Sequence, residues 1–159
     1  MTSSRQMTLE EYESERKLAK ELGFVMNDLQ ITSYSIVKDV CNGIGPAAMP
    51  QPFVDALNKL HPSLKPVADN HDLNFYKGDG TWADFTACNQ AFYENGCKVA
   101  KWKYKAYDVR RYIVIFDAWN FSRACQNKIG WSAYTAAIKK RMEDEAAGYV
   151  PPDLALTMA

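Results

Sequence analysis

Apolar positions in the first part of the chain recur at helical spacing. Leu9, Tyr12, Ala19 and Leu22 fall on one stripe, behind the capping box Thr8-Leu9-Glu10-Glu11. The pattern predicts a helix over 9–22, closed by Gly23. From Phe24 to Val40 the pattern settles on neither period. Ile31, Ser33, Ser35 and Val37 suit a short helix or an extended connector equally. A glycine-rich loop follows at 42–46. Met49-Pro50-Gln51-Pro52 reads as irregular, because each proline removes a backbone donor and restricts its predecessor.

Phe53, Leu57 and Leu60 predict a short helix over 53–60, which His61-Pro62 breaks. That leaves His61 a surface loop residue of little functional weight. The next helix runs from Leu64 or Pro66 to Tyr76, with Pro66 acceptable in the first turn. Val67, Ala68, His71, Phe75 and Tyr76 lie near one face of it. Gly78-Asp79-Gly80 is a turn. Trp82 to about Tyr107 reads as one long helix, with Trp82, Phe85, Cys88, Ala91, Phe92, Val99 and Trp102 in its stripe and Gly96 interrupting it. Tyr112–Lys128 is predicted as another, with Phe116, Trp119 and Ala124 inside and Gly130 ending it. Ser132–Ala147 is the last, with Tyr134, Ala137, Ile138 and Met142 inward. Gly148 and Pro151-Pro152 open an irregular tail. The expected fold is all-α, one domain over 1–159, with additional N- and C-terminal helices packed around two central antiparallel ones.

Composition narrows the classes. The 159 residues are 47 % hydrophobic, which predicts a globular core rather than disorder. A formal net charge of zero argues against nucleic acid as the main partner. There is no apolar run long enough to span a bilayer. The N-terminus, Met1-Thr2-Ser3-Ser4-Arg5-Gln6, lacks the apolar core of a signal peptide, which predicts cytoplasmic synthesis without export. Cys41, Cys88, Cys97 and Cys125 form no C-x-x-C pair, so a zinc site is not expected. Cys88 and Cys97 are too far apart on one helix to be bridged. Four buried thiols are the expectation, with a bridge from Cys41 to Cys88 or Cys97 as the alternative.

Candidate chemistry centres on Asn70-His71-Asp72-Leu73-Asn74-Phe75-Tyr76. A helix here turns the His71 imidazole inward and swings Asp72 about 100° away. Upstream, Cys41-Asn42-Gly43-Ile44-Gly45-Pro46 can present carbonyl oxygens. Downstream, Cys88-Asn89-Gln90-Ala91-Phe92-Tyr93-Glu94-Asn95 can pack across the His-Asp helix. In this order the three pieces, over residues 40 to 100, resemble the phospholipase A2 superfamily, and most closely its compact phage, parvovirus and microbial members.

The resemblance implies a calcium-dependent hydrolase of phospholipid esters. His71 would be the general base, a task its near-neutral ordinary pKa suits. Calcium, a hard ion that takes oxygen ligands, would be held by the carbonyls of Cys41, Gly43 and Gly45 and the carboxylate of Asp72. The facing helix of the family carries an aspartate in an A-D-x-x-F-x-x-N pattern, and the alignment puts Asn89 in its place. Asn89 can still accept a hydrogen bond from the ring, but without charge. The family's tyrosine four places after the histidine is Phe75 here, and Tyr76 is one place late.

Two readings stay open. One is the hydrolase, with a phospholipid membrane surface as partner. The other is a catalytically degenerate phospholipase A2-like fold serving as a structural or interaction component of a phage virion, in contact with other virion proteins. The missing signal peptide fits a virion or cytoplasmic protein better than a secreted one. Lys98, Lys101, Lys103, Lys105, Arg110 and Arg111 crowd one stretch, interleaved with Trp102, Tyr104 and Tyr107. A solvated helix end is the simplest reading, and a contact with anionic lipid headgroups is the functional one.

Overall fold

The computed structural model describes residues 7–41, 43 and 51–148. Every regular element among them is helical. The first helix, α1 (Leu9–Glu21), begins at the expected capping box. Thr8 Oγ1 accepts the Glu11 amide at 3.2 Å, and Glu11 Oε2 accepts the Thr8 amide at 2.9 Å. Gly23 follows with φ +59°.

The stretch without a period holds two short helices, α2 (Asp28–Ile31) and α3 (Tyr34–Val40). Side chains from distant helices satisfy the backbone of the turn before them. Asn95 accepts from Val25 N at 2.7 Å and donates to Val25 O at 3.0 Å. Asn70 does the same for Leu29 N and Met26 O, both at 3.0 Å. Local periodicity is absent because the backbone partners are not local.

Next come α4 (Gln51–Leu60), a 3-10 turn (Pro62–Leu64) and α5 (Lys65–Tyr76). Gln51 and Pro52, expected to be irregular, belong to the first turn of α4, where proline is tolerated. Met49, Pro50 and the tail with Pro151-Pro152 lie outside the described residues. In α5, nine of twelve residues are buried, so it is a core helix contacted on several sides. The neighbours packed on it are α2, α3, α6 (Trp82–Lys103) and α8 (Lys128–Ala146).

α6 runs antiparallel to α5, with Asn89 opposite His71 and Phe85 beside Phe75. It ends at Lys103, short of the expected Tyr107, because Tyr104 is extended. Trp82 and Trp102 are exposed at its two ends rather than part of its buried stripe. α7 (Val109–Cys125) folds back along α6 and starts earlier than expected, where the Asp108 carboxylate accepts the Arg110 amide at 3.0 Å. Gly96 is what allows the close approach: a Cβ there would lie 2.4 Å from Ala118 Cβ.

That contact corrects the expected face of α7. Ala118 and Ser122 are buried, whereas Phe116, Trp119 and Ala124 point to solvent. Gly130 does not end this helix. It sits in the first turn of α8, where a Cβ would meet the Cys125 carbonyl oxygen at 1.7 Å. On α8, Tyr134 is buried, Ala137 and Ile138 pack against the core, and Met142 is exposed instead of inward. All four cysteines are free, with Cys88 buried and the other three half-buried, so no bridge ties Cys41 to α6.

Candidate functional site

His71 points from α5 to α6. Its Nε2 lies 2.8 Å from Asn89 Oδ1, and both residues are buried. The Asn89 amide is itself held in place. Its Nδ2 donates to Gln126 Oε1 at 2.8 Å, and Gln126 Nε2 donates to Thr86 Oγ1 at 3.0 Å. With Asn89 Oδ1 turned to the ring, Nε2 carries the imidazole proton and Nδ1 carries the lone pair. The ring lies 4.1 Å from the Phe75 ring, tilted, and meets Phe92 edge-on at 5.4 Å. This apolar enclosure disfavours the charged form. Burial pulls the His71 pKa from 6.5 down to about 4, and the bond to Asn89 offsets only part of that.

The loop side is organised by a different carboxylate. Asp69, one turn before His71's neighbour Asp72, is buried on α5. Its Oδ1 accepts the Gly43 amide at 3.0 Å, and its backbone oxygen accepts the Cys41 thiol at 3.2 Å. Gly43 has φ +80°, and a Cβ on it would press on the Asn58 side chain at 2.5 Å, so glycine is required there. Gly45 lies outside the described residues. Asp72 is half-buried, and its charge is felt at Cys41. Burial pushes the Cys41 thiol well up, and Asp69 and Asp72 push it further, so this residue offers a ligand its carbonyl rather than a thiolate. The described donors near the loop are thus oxygens, which suits a hard cation. Among the described residues no group of three or more His, Cys, Asp or Glu side chains could hold a metal ion; a site of backbone carbonyls and one carboxylate would not form such a group.

Sequence reasoning missed the residues behind Asp69. Lys65 Nζ bonds Asp69 Oδ2 and Glu15 Oε1, each at 2.6 Å. Burial opposes charge on Lys65, but the two acids outweigh it and raise its pKa. Burial, and then the Asp69 charge, raise the Glu15 carboxyl well above its ordinary pKa while Lys65 pulls it down, so the two acids and the ammonium titrate as one set. The i,i+4 spacing of Lys65 and Asp69 was a usable signal. Nothing local points to Glu15. A cleft of about 430 Å³ opens here, lined by Cys41, Gly43, Asn58, Lys65 and Asp69 among others, and His71 is not part of its lining.

His61 is not an idle loop residue. Its Nδ1 lies 2.9 Å from Asp117 Oδ2, and its ring meets Phe121 edge-on at 5.3 Å, so it fastens the 3-10 turn to α7. The basic stretch divides. Lys98 reaches the Gly23 carbonyl, Lys103 bonds Ser63 Oγ at 2.8 Å, and Arg110 pairs with Asp108 at 2.7 Å. Compared with known proteins, the chain matches no family model, no curated protein and no solved structure.

Proposed function

We propose that the protein is a phospholipase A2-like hydrolase of phospholipid esters that uses His71 as its base. The observation that carries this reading is the 2.8 Å contact between His71 Nε2 and Asn89 Oδ1 on facing helices. It holds the ring in the tautomer whose Nδ1 can accept a proton from water as that water attacks an ester carbonyl. Asn89 orients the imidazole, and Gln126 keeps the Asn89 oxygen turned to it. Phe75 and Phe92 exclude bulk water from the ring. Calcium, held by the carbonyls of Cys41, Gly43 and Gly45 with Asp72, would supply the positive charge that stabilises the oxyanion. Asp69 would keep that loop in place through the Gly43 amide.

One observation favours the second reading, a degenerate fold that serves as a structural or interaction component of a phage virion. The partner of His71 is a neutral amide, and the ring's pKa of about 4 makes it a weak base. The two readings part at Asn89. In an impaired enzyme, Asn89→Asp raises ester hydrolysis in calcium, because the carboxylate steadies the imidazolium. The gain vanishes with chelator and in a His71→Gln background. In a structural protein, neither wild type nor Asn89→Asp hydrolyses phospholipid, and Asn89→Asp only lowers the melting temperature by leaving Gln126 and a buried charge mismatched. Activity and melting temperature measured on the same preparations decide between them.

A further inference from the structure

One face of α7 is apolar and turned to solvent. Val109, Tyr112, Ile113, Phe116 and Trp119 are each between 47 % and 67 % exposed. Their spacing puts them within an arc of about 120° on the helix, opposite the buried Ala118 and Ser122. Phe116 and Trp119 stack at 6.2 Å between centroids. This stripe lies outside residues 40 to 100 and plays no part in the His71 site. Exposed Trp102 and Tyr107 extend it at the α6–α7 turn.

The charge around the stripe is one-sided. Residues 98–128 carry eight lysines and arginines against Asp108 and Asp117 alone, in a chain whose formal charge is zero. Both acids are engaged, Asp108 with Arg110 and Asp117 with His61. Exposed Lys101 and Lys105 stand at the N-terminal end of α7, and Arg123 and Lys128 at its other end. Because both ends are cationic, a second copy of this chain would set cation against cation whichever way the helices ran. Among the described residues no helix is long and apolar enough to cross a membrane. An apolar helical face flanked by cations and aromatics suits the plane of a lipid surface instead.

We infer that α7 docks the protein on an anionic lipid bilayer, with Ile113, Phe116 and Trp119 entering the acyl boundary and the flanking cations meeting the headgroups. As a route to substrate this rests on the reading of His71 above, but as a binding surface it stands alone. The test is co-sedimentation of the full chain, in chelator, with vesicles of phosphatidylcholine alone and of phosphatidylcholine mixed with phosphatidylserine. Tryptophan emission is followed in parallel. The expected result is binding to the mixed vesicles, a blue shift, and weakening in high salt. Ile113→Ser/Phe116→Ser should bind about tenfold or more weakly at an unchanged melting temperature, since neither side chain is in the core. Hydrolysis is assayed separately in calcium, so loss of the enzyme reading leaves the binding result intact. Wild type that ignores the mixed vesicles overturns the inference. So does a double variant that binds them as wild type does, which would leave only a cationic patch. A wild-type dimer that the double variant converts to monomer also overturns it, since a second copy then covers the stripe.

Discussion

Gly43 donates its amide to Asp69 Oδ1 at 3.0 Å, so the glycine loop is anchored to α5 three residues before Asp72. The same carboxylate takes Lys65 on its other oxygen. Asp69 therefore links loop position to a buried charge network that reaches back to α1 through Glu15.

Asp69→Asn tests that link. The amide can still accept from Gly43 but no longer answers the half-buried Lys65 ammonium, which keeps Glu15 as its partner. We expect a loss of about 1–3 kcal/mol in urea unfolding, less than for a fully buried pair because solvent screens the partly exposed ammonium. If the loop carries calcium, calorimetry should also show weaker binding although Asp69 is not itself a proposed ligand. Unchanged stability would mean Lys65 is satisfied without it.

The Gly96–Ala118 contact sets the α6–α7 distance. Gly96→Ala drives a Cβ to 2.4 Å from Ala118 Cβ, and neither atom can rotate away. The expected cost is about 1–3 kcal/mol, despite the better helix propensity of alanine. Gly96→Ala/Ala118→Gly should recover most of it. A double variant no more stable than the single one would show that the helices are held apart by something else.

His71 should make stability depend on pH. Its folded-state pKa of about 4 lies below its ordinary 6.5, so in that window the unfolded chain binds the extra proton. The contribution is complete above pH about 6.5 and is lost as pH falls through the window, by about 3 kcal/mol when both states are protonated. Denaturant unfolding of wild type against His71→Gln should diverge over that range. Parallel curves would mean that the ring is not buried neutral.

Glu15 acts in the opposite direction. Its folded-state pKa of about 9 lies above its ordinary 4.5, so its contribution is fully present below pH 4.5 and is lost as pH rises towards 9. Glu15→Gln keeps the shape without the titration. The variant should therefore be more stable than wild type at alkaline pH, with the difference shrinking in acid. A constant difference across the range would show that Glu15 is ionised beside Lys65.

The sequence by itself determined most of the helices and the inward turn of His71. These follow from the spacing of apolar side chains along one element, and from caps such as Thr8 with Glu11 that act within one turn. That Asn89 stands opposite His71 was expected from the family resemblance alone, since no period within either helix sets their register, and the two side chains meet at 2.8 Å. Only the tertiary structure decided which face of α7 is buried. Phe116 and Trp119 are more hydrophobic than Ala118 and Ser122, yet the small residues face inward, because Gly96 brings the helices too close for large ones. It also decided that Asp69 rather than Asp72 receives the Gly43 amide, and that Glu15 shares Lys65 with it. Those contacts join segments tens of residues apart, and no local period encodes them. The turn at Val25 and Met26 was illegible for the same reason, since its hydrogen-bond partners are side chains of Asn95 and Asn70 on α6 and α5.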